Sequence, residues 1–145
     1  MENNAAIEIA SLFTQRHIYD KYRTELCTAF AHAGTRAYFE RKQFIELSGN
    51  AADYIYLVQD GCVKQYLHSP NGVTRTIFLL AQGNTFNEVT LFNNDTSYVT
   101  SQAHTDVCLI RMTADEFNAI LNAKPSLYRS MSYMLAYKLR IAMVQ

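Results

Sequence analysis

Residues 53–80 read DYIYLVQDGCVKQYLHSPNGVTRTIFLL. Apolar and aromatic runs are separated here by Asp60-Gly61 and by Pro70-Asn71-Gly72. The runs have strand composition and the separators have turn composition. Asn-Gly supplies the positive φ angles that a tight hairpin needs. The spacing predicts strands at 53–58, 61–68 and 73–80, the last stopped near Gln82-Gly83. Outward from this block, 37–39 and 43–46 are short strand candidates on one side, and 97–102 and 107–112 on the other. Turns recurring every 8–12 residues or so indicate a compact antiparallel barrel or sandwich.

Helical patterns flank the strands. Tyr22, Leu26, Ala29, Phe30 and Ala33 recur close to a 3.6-residue period, and Gly34 stands where a C′ glycine ends a helix. Residues 5–13 allow a shorter helix. Thr113 and Glu116 have capping-box spacing ahead of the stripe Phe117, Ile120 and Leu121. After Pro125, Ser126 can cap a last helix running from Leu127 to the end of the chain. No stop signal closes that helix, so the chain is expected to be a fragment. The fold class is mainly β with flanking helices: an antiparallel double-stranded β-roll of jelly-roll type, N-terminal helices and a long C-terminal helix.

Bulk properties bound the function. A chain of 145 residues, 49% of them hydrophobic, can build one domain with a real core. Its formal net charge of +0 lacks the basic excess of a nucleic-acid surface. No apolar run approaches the roughly 18–20 residues of a membrane span. Met1-Glu2-Asn3-Asn4 does not open a signal peptide, so a cytoplasmic chain without a membrane partner is expected. Cys27, Cys62 and Cys108 form no C-x-x-C pair, and His17, His32, His68 and His104 are scattered. Neither set suggests a metal, haem or cluster. With no carboxylate pair, nucleophile–base order or phosphate-cradling loop, no catalytic residue and no cofactor are expected, and the chain reads as a non-enzyme.

Three segments carry a family resemblance. Residues 44–58, FIELSGNAADYIYLV, resemble a strand, glycine turn and strand; 59–64, QDGCVK, resemble a glycine-and-valine turn; and 83–92, GNTFNEVTLF, resemble a segment that opens a ligand pocket. In order and spacing they resemble the sensor domain of Crp/Fnr-type transcription regulators, a cyclic-nucleotide-binding-like β-roll, from about Tyr38 onward. The resemblance implies an effector domain at 1–125, the start of a dimerisation helix at 126–145, and a helix-turn-helix DNA-binding domain absent from this chain. DNA would then be a partner only through that missing domain. It further implies a small-molecule effector and a homodimer, with Met131, Met134, Leu135, Lys138, Ile141 and Ala142 in the helix seam.

The pocket departs from the pattern for cyclic nucleotides. Glu88 falls at the carboxylate position that accepts a ribose hydroxyl. Asn87 precedes it in place of a glycine. The expected phosphate-binding arginine falls near Tyr98 and Val99, and no arginine occurs between Thr76 and Ile110. A buried phosphate without its cation is poorly compensated. Arg75 on a neighbouring strand is a candidate substitute. Tyr98, together with Tyr133 and Tyr137 one helical turn apart, suggests an amphipathic pocket for a molecule other than cyclic AMP, such as an aromatic acid. The alternative is a degenerate roll that binds nothing and serves only to dimerise.

Overall fold

The computed structural model describes residues 16–144, and the helix expected at 5–13 lies outside them. Helix α1 (Arg16–Ala33) leads into β1 (Thr35–Phe39), β2 (Phe44–Glu46), β3 (Tyr54–Asp60), β4 (Val63–His68), β5 (Thr74–Leu80) and β6 (Thr85–Phe86). Then follow a short helix α2 (Glu88–Asn93), β7 (Thr100–Ala103), β8 (Val107–Thr113), α3 (Ala114–Ala123) and α4 (Ser126–Val144). The strands form two four-stranded sheets, ordered β1-β8-β3-β6 and β2-β7-β4-β5. All their pairings are antiparallel. This is the antiparallel architecture expected from the turn spacing and the β-roll implied by the resemblance.

Strand β3 shows why 53–58 reads as an unbroken apolar run. Side chains alternate across a strand. Ile55 and Leu57 enter a core with Leu26, Phe30, Phe117, Met131 and Met134 of the helices. Tyr56 and Val58 enter a second core, between the sheets, with Val63, Leu80 and Phe86. Its partner β8 divides likewise, Ile110 and Met112 against Val107 and Leu109. Register pairs Leu57 with Ile110 and Val58 with Leu109. A strand covered on both faces loses its polar positions.

The helices close one face of the roll. Thr113 and Glu116 form the capping box: Glu116 N–H donates to Thr113 Oγ1 at 3.2 Å, and Thr113 N–H to Glu116 Oε1 at 3.3 Å. Ser130 is buried on α4 and donates to Glu25 Oε2 of α1 at 2.7 Å.

Several expectations need correction. Gly34 is not in the left-handed region. It is needed for packing, because a Cβ there would lie 2.5 Å from Ile110 Cγ2 and 2.9 Å from Phe30 O. Strand β7 begins at Thr100, not at 97. Ser97 turns the chain instead, its hydroxyl donating to Val99 O at 2.8 Å, a local bond that competes with a ladder. Period-based reading gives no element at 84–96, where the structure has β6 and α2.

The expected helix seam changes most. Met131 and Met134 are 1% and 0% exposed inside the chain's own core, so they are unavailable to a second copy. Ile141 is buried too, and Lys138 points inward. Ala142 of the expected seam is exposed, and the large apolar residues that α4 leaves exposed, among those described, are Tyr128, Leu139 and Met143.

Gly61 tests the close approach of two turns. Its φ is +89°, and an added Cβ would meet Asp106 O at 2.3 Å. Gly61→Ala is expected to lower stability by about 1–3 kcal/mol, read as a lower urea midpoint.

Candidate functional site

The site begins where β6 hands over to α2. Asn87 takes φ 73° and ψ 2°, a left-handed conformation that asparagine tolerates better than other non-glycine residues. This accounts for asparagine at a position where the resemblance expects glycine. Its side chain makes no cap bond to α2. It donates instead to Glu46 Oε2 and, at 3.1 Å, to Tyr54 O. The turn into α2 is thus tied to β2 and β3.

Glu88 follows and is 1% exposed. Its Oε1 lies 2.5 Å from Lys138 Nζ of α4. Lys138 also donates to Thr85 O and stands 6.0 Å above the Phe78 ring. A buried charge needs such a counter-charge. The pair leaves two orphans: Glu88 Oε2 and Thr85 Oγ1 are buried without hydrogen-bond partners.

Beside this pair is a cavity of about 280 Å³ between the roll and α4. The roll contributes Gln65, Phe78, Asn87, Glu88, Val89, Thr90, Tyr98 and Val99, and α4 contributes Leu135, Lys138, Leu139 and Ala142. Its charged wall residues, among those described, are Glu88 and Lys138. Gln65 is held by a 3.0 Å bond to Ser101 Oγ. Tyr98 is 62% exposed at the wall, its hydroxyl donating to Asp95 at 2.6 Å.

Of the residues expected to bind a ligand, Asn87, Glu88, Tyr98 and Val99 meet at this cavity. The other three do not. Arg75 is exposed on β5, paired with Leu67. Tyr133 packs on Tyr22 of α1 at 4.9 Å between ring centroids. Tyr137 is half-buried and outside the cavity wall. At about 100° per residue, a helix that turns Leu135, Lys138 and Ala142 toward the roll turns Tyr133 and Tyr137 away. Lys138 was expected in the seam. The signal that places it inside is its position on an apolar stripe, where a charge must find a partner.

Next to Asn87, Glu46 is partly buried with Oε1 unpartnered. Burial lifts its carboxyl from an ordinary 4.5 to about 7; the Asn87 bond opposes the rise and the nearby Asp53 adds to it. Arg111 stands over the Tyr54 ring, 4.3 Å from its centroid.

Comparisons with known proteins bear on the family and the fold. Residues 36–124 match the family model described as cyclic nucleotide-binding domain. The chain is 26% identical over 111 residues to the cyclic AMP receptor protein of Thermus thermophilus, covering 73% of this chain and 51% of that protein. It therefore spans about half the length of that curated relative. Among solved structures, the Thermus thermophilus catabolite activator protein superposes with a TM-score of 0.74 at 24% identity, over 83% of this chain and 56% of that one. The c-di-GMP responsive global regulator CLP of Xanthomonas campestris gives 0.75 at 16% identity, over 83% and 61%. The sensor domain of the transcriptional regulator DNR of Pseudomonas aeruginosa gives 0.65 at 20%, over 81% and 79%.

Two outcomes test the electrostatics. Lys138→Met leaves Glu88 buried without a counter-charge and should cost about 3–5 kcal/mol in chemical denaturation, most of it recovered in the double variant Glu88→Gln/Lys138→Met. Between pH 4.5 and about 7 the folded chain keeps a proton on Glu46 that the unfolded chain releases. Stability should therefore fall as pH rises through that window, and Glu46→Gln should flatten the fall in urea midpoints.

Proposed function

The chain belongs to the cyclic nucleotide-binding domain family, and on that premise we propose that it is the effector-sensing part of a Crp/Fnr-type transcription regulator that takes a small molecule other than cyclic AMP. The observation that carries this reading is the pairing of Lys138 with Glu88. A cyclic phosphate needs a cation of its own. The one lysine on the wall already neutralises a buried carboxylate, and Arg75 is exposed on β5 away from the wall. The apolar remainder of the cavity, with Phe78, Val99, Leu135 and Leu139, favours a compact and largely apolar occupant.

In this reading α4 carries the response. It covers the cavity with one face, Leu139 at the rim, and leaves Met143 exposed for a second copy of the chain. DNA contact belongs to a part of the parent protein outside these residues, in keeping with a formal net charge of +0. The activity is regulation rather than catalysis, and a cytoplasmic location suits it. Among the described residues, no helix is long and apolar enough to cross a membrane.

A thermal-shift titration tests the reading, with cyclic AMP and cyclic GMP beside aromatic carboxylates, phenols and alcohols. A ligand that binds only the folded chain adds about 2.7 kcal/mol at a hundredfold excess over its dissociation constant. The expected result is a rise in melting temperature with a member of the non-nucleotide set, abolished in Leu135→Trp, which fills the cavity. A rise with a cyclic nucleotide alone would overturn the reading. No rise with either class would favour a roll that only dimerises.

A further inference from the structure

Glu46 lies outside the cavity wall but is tied to it. Its Oε1 is buried without a partner, and its Oε2 accepts from Asn87 Nδ2. Asn87 therefore has two attachments. Its side chain sits on Glu46 and on Tyr54 O, and its backbone begins the wall segment 87–90.

The bonded partner of Glu46 is an uncharged amide. Opposite it on β7 stands Ser101, also neutral. Ahead of β3, Asp53 adds a like charge. On β3 the Tyr56 hydroxyl is pushed up by burial and then by Glu46, and Arg111 of β8 opposes that rise. On α2 the next carboxylate, Glu88, is paired with Lys138.

The neutral form suits this place. A proton on Oε1 removes the charge and leaves Oε2 as the carbonyl oxygen, which still accepts from Asn87. The ionised form keeps an unpartnered carboxylate oxygen out of water, a cost that ends once water reaches it. The turn at Asn87 is weakly held. β6 has two residues, Asn87 makes no cap bond to α2, and its left-handed backbone is unfavourable for a residue with a Cβ. β3, on the other side of Glu46, is packed into both cores.

We propose that Glu46 is a proton-operated lock on the wall of this cavity: neutral, it holds the turn into α2 shut through Asn87, and ionised, it lets that turn open to water. The lock goes beyond the effector reading above and needs no effector to act. Burial raises the carboxyl of the closed form from 4.5 to about 7, so closure is strongest below 4.5 and is lost progressively as pH rises to about 7.

Hydrogen exchange of the Leu91 amide reads the turn directly, because that N–H donates to Asn87 O at 3.1 Å. It is followed by NMR from about pH 5 to 8, beside the ¹³C shift of the Glu46 carboxyl. Base catalysis alone speeds any amide about tenfold per pH unit. The linked proton should make this about hundredfold per unit for Leu91 up to a pH of about 7, and about tenfold beyond it. At every pH Leu91 should exchange faster than the central amides of β8, which open only with the whole domain. Glu46→Gln, neutral throughout, should return the Leu91 slope to about tenfold. Asn87→Gly keeps the left-handed turn without the side chain and should do the same. A Glu46 midpoint near 4.5 would overturn the lock, as would a tenfold slope for Leu91 in the unaltered chain. So would a Leu91 rate equal to that of β8, a steep slope that survives Asn87→Gly, or a steep slope confined to β2. None of these outcomes touches the effector reading, which the ligand titration decides separately.

Discussion

The buried pair between Glu88 and Lys138 is the contact through which the roll and the last helix share one geometry. Such a pair adds little net stability, because desolvation offsets most of the attraction. Its effect is constraint. Once α2 holds a carboxylate inside the fold, α4 has to bring an ammonium to it, and this fixes the rotation of α4 about its own axis. Leu135 and Ala142 then face the cavity, while Tyr133 meets Tyr22 on the far side. The same requirement reaches backward along the chain. Glu88 is delivered by a left-handed Asn87, and Asn87 is tied to Glu46 and to the backbone of β3.

The roll was legible because runs of strand composition are bracketed by turn residues. β3, β4, β5 and β8 are long enough for composition and for turn residues at their ends to agree. Thr113 and Glu116 marked the start of α3 because a capping box depends on adjacent residues alone. β6 and α2 were not legible by period: two residues and six residues are too short to show one. The resemblance located that segment instead, through Glu88. Gly34 was placed correctly and explained wrongly, since the nearest atom it avoids belongs to Ile110 of β8, distant in sequence.

The site was half legible. Asn87, Glu88, Tyr98 and Val99 came from the family resemblance, and the structure brings these four to one cavity. Tyr133 and Tyr137 failed because a resemblance can place a helix without giving its rotation. The information on rotation was present in Lys138. An apolar stripe running Met131, Met134, Leu135, Ile141 and Ala142 has one charged member, and a charge on a buried face demands a partner. Glu88 was already identified, and joining the two would have turned the helix correctly.

Helix α4 is held unevenly along its length. Its first turns are locked: Leu127, Met131 and Met134 lie in the helical core, and Ser130 is bonded to Glu25. Its later turns border a hollow and are held to the roll through Lys138. The helix is therefore a lever with a fulcrum near Met134 and about 14 Å of arm out to Met143. A tilt of about 10° at the fulcrum carries the end of that arm through about 2 Å, while the locked turns hardly move. An occupant of the hollow would bear on that arm, and on the Lys138–Glu88 contact that ties it to the roll, rather than on the locked turns.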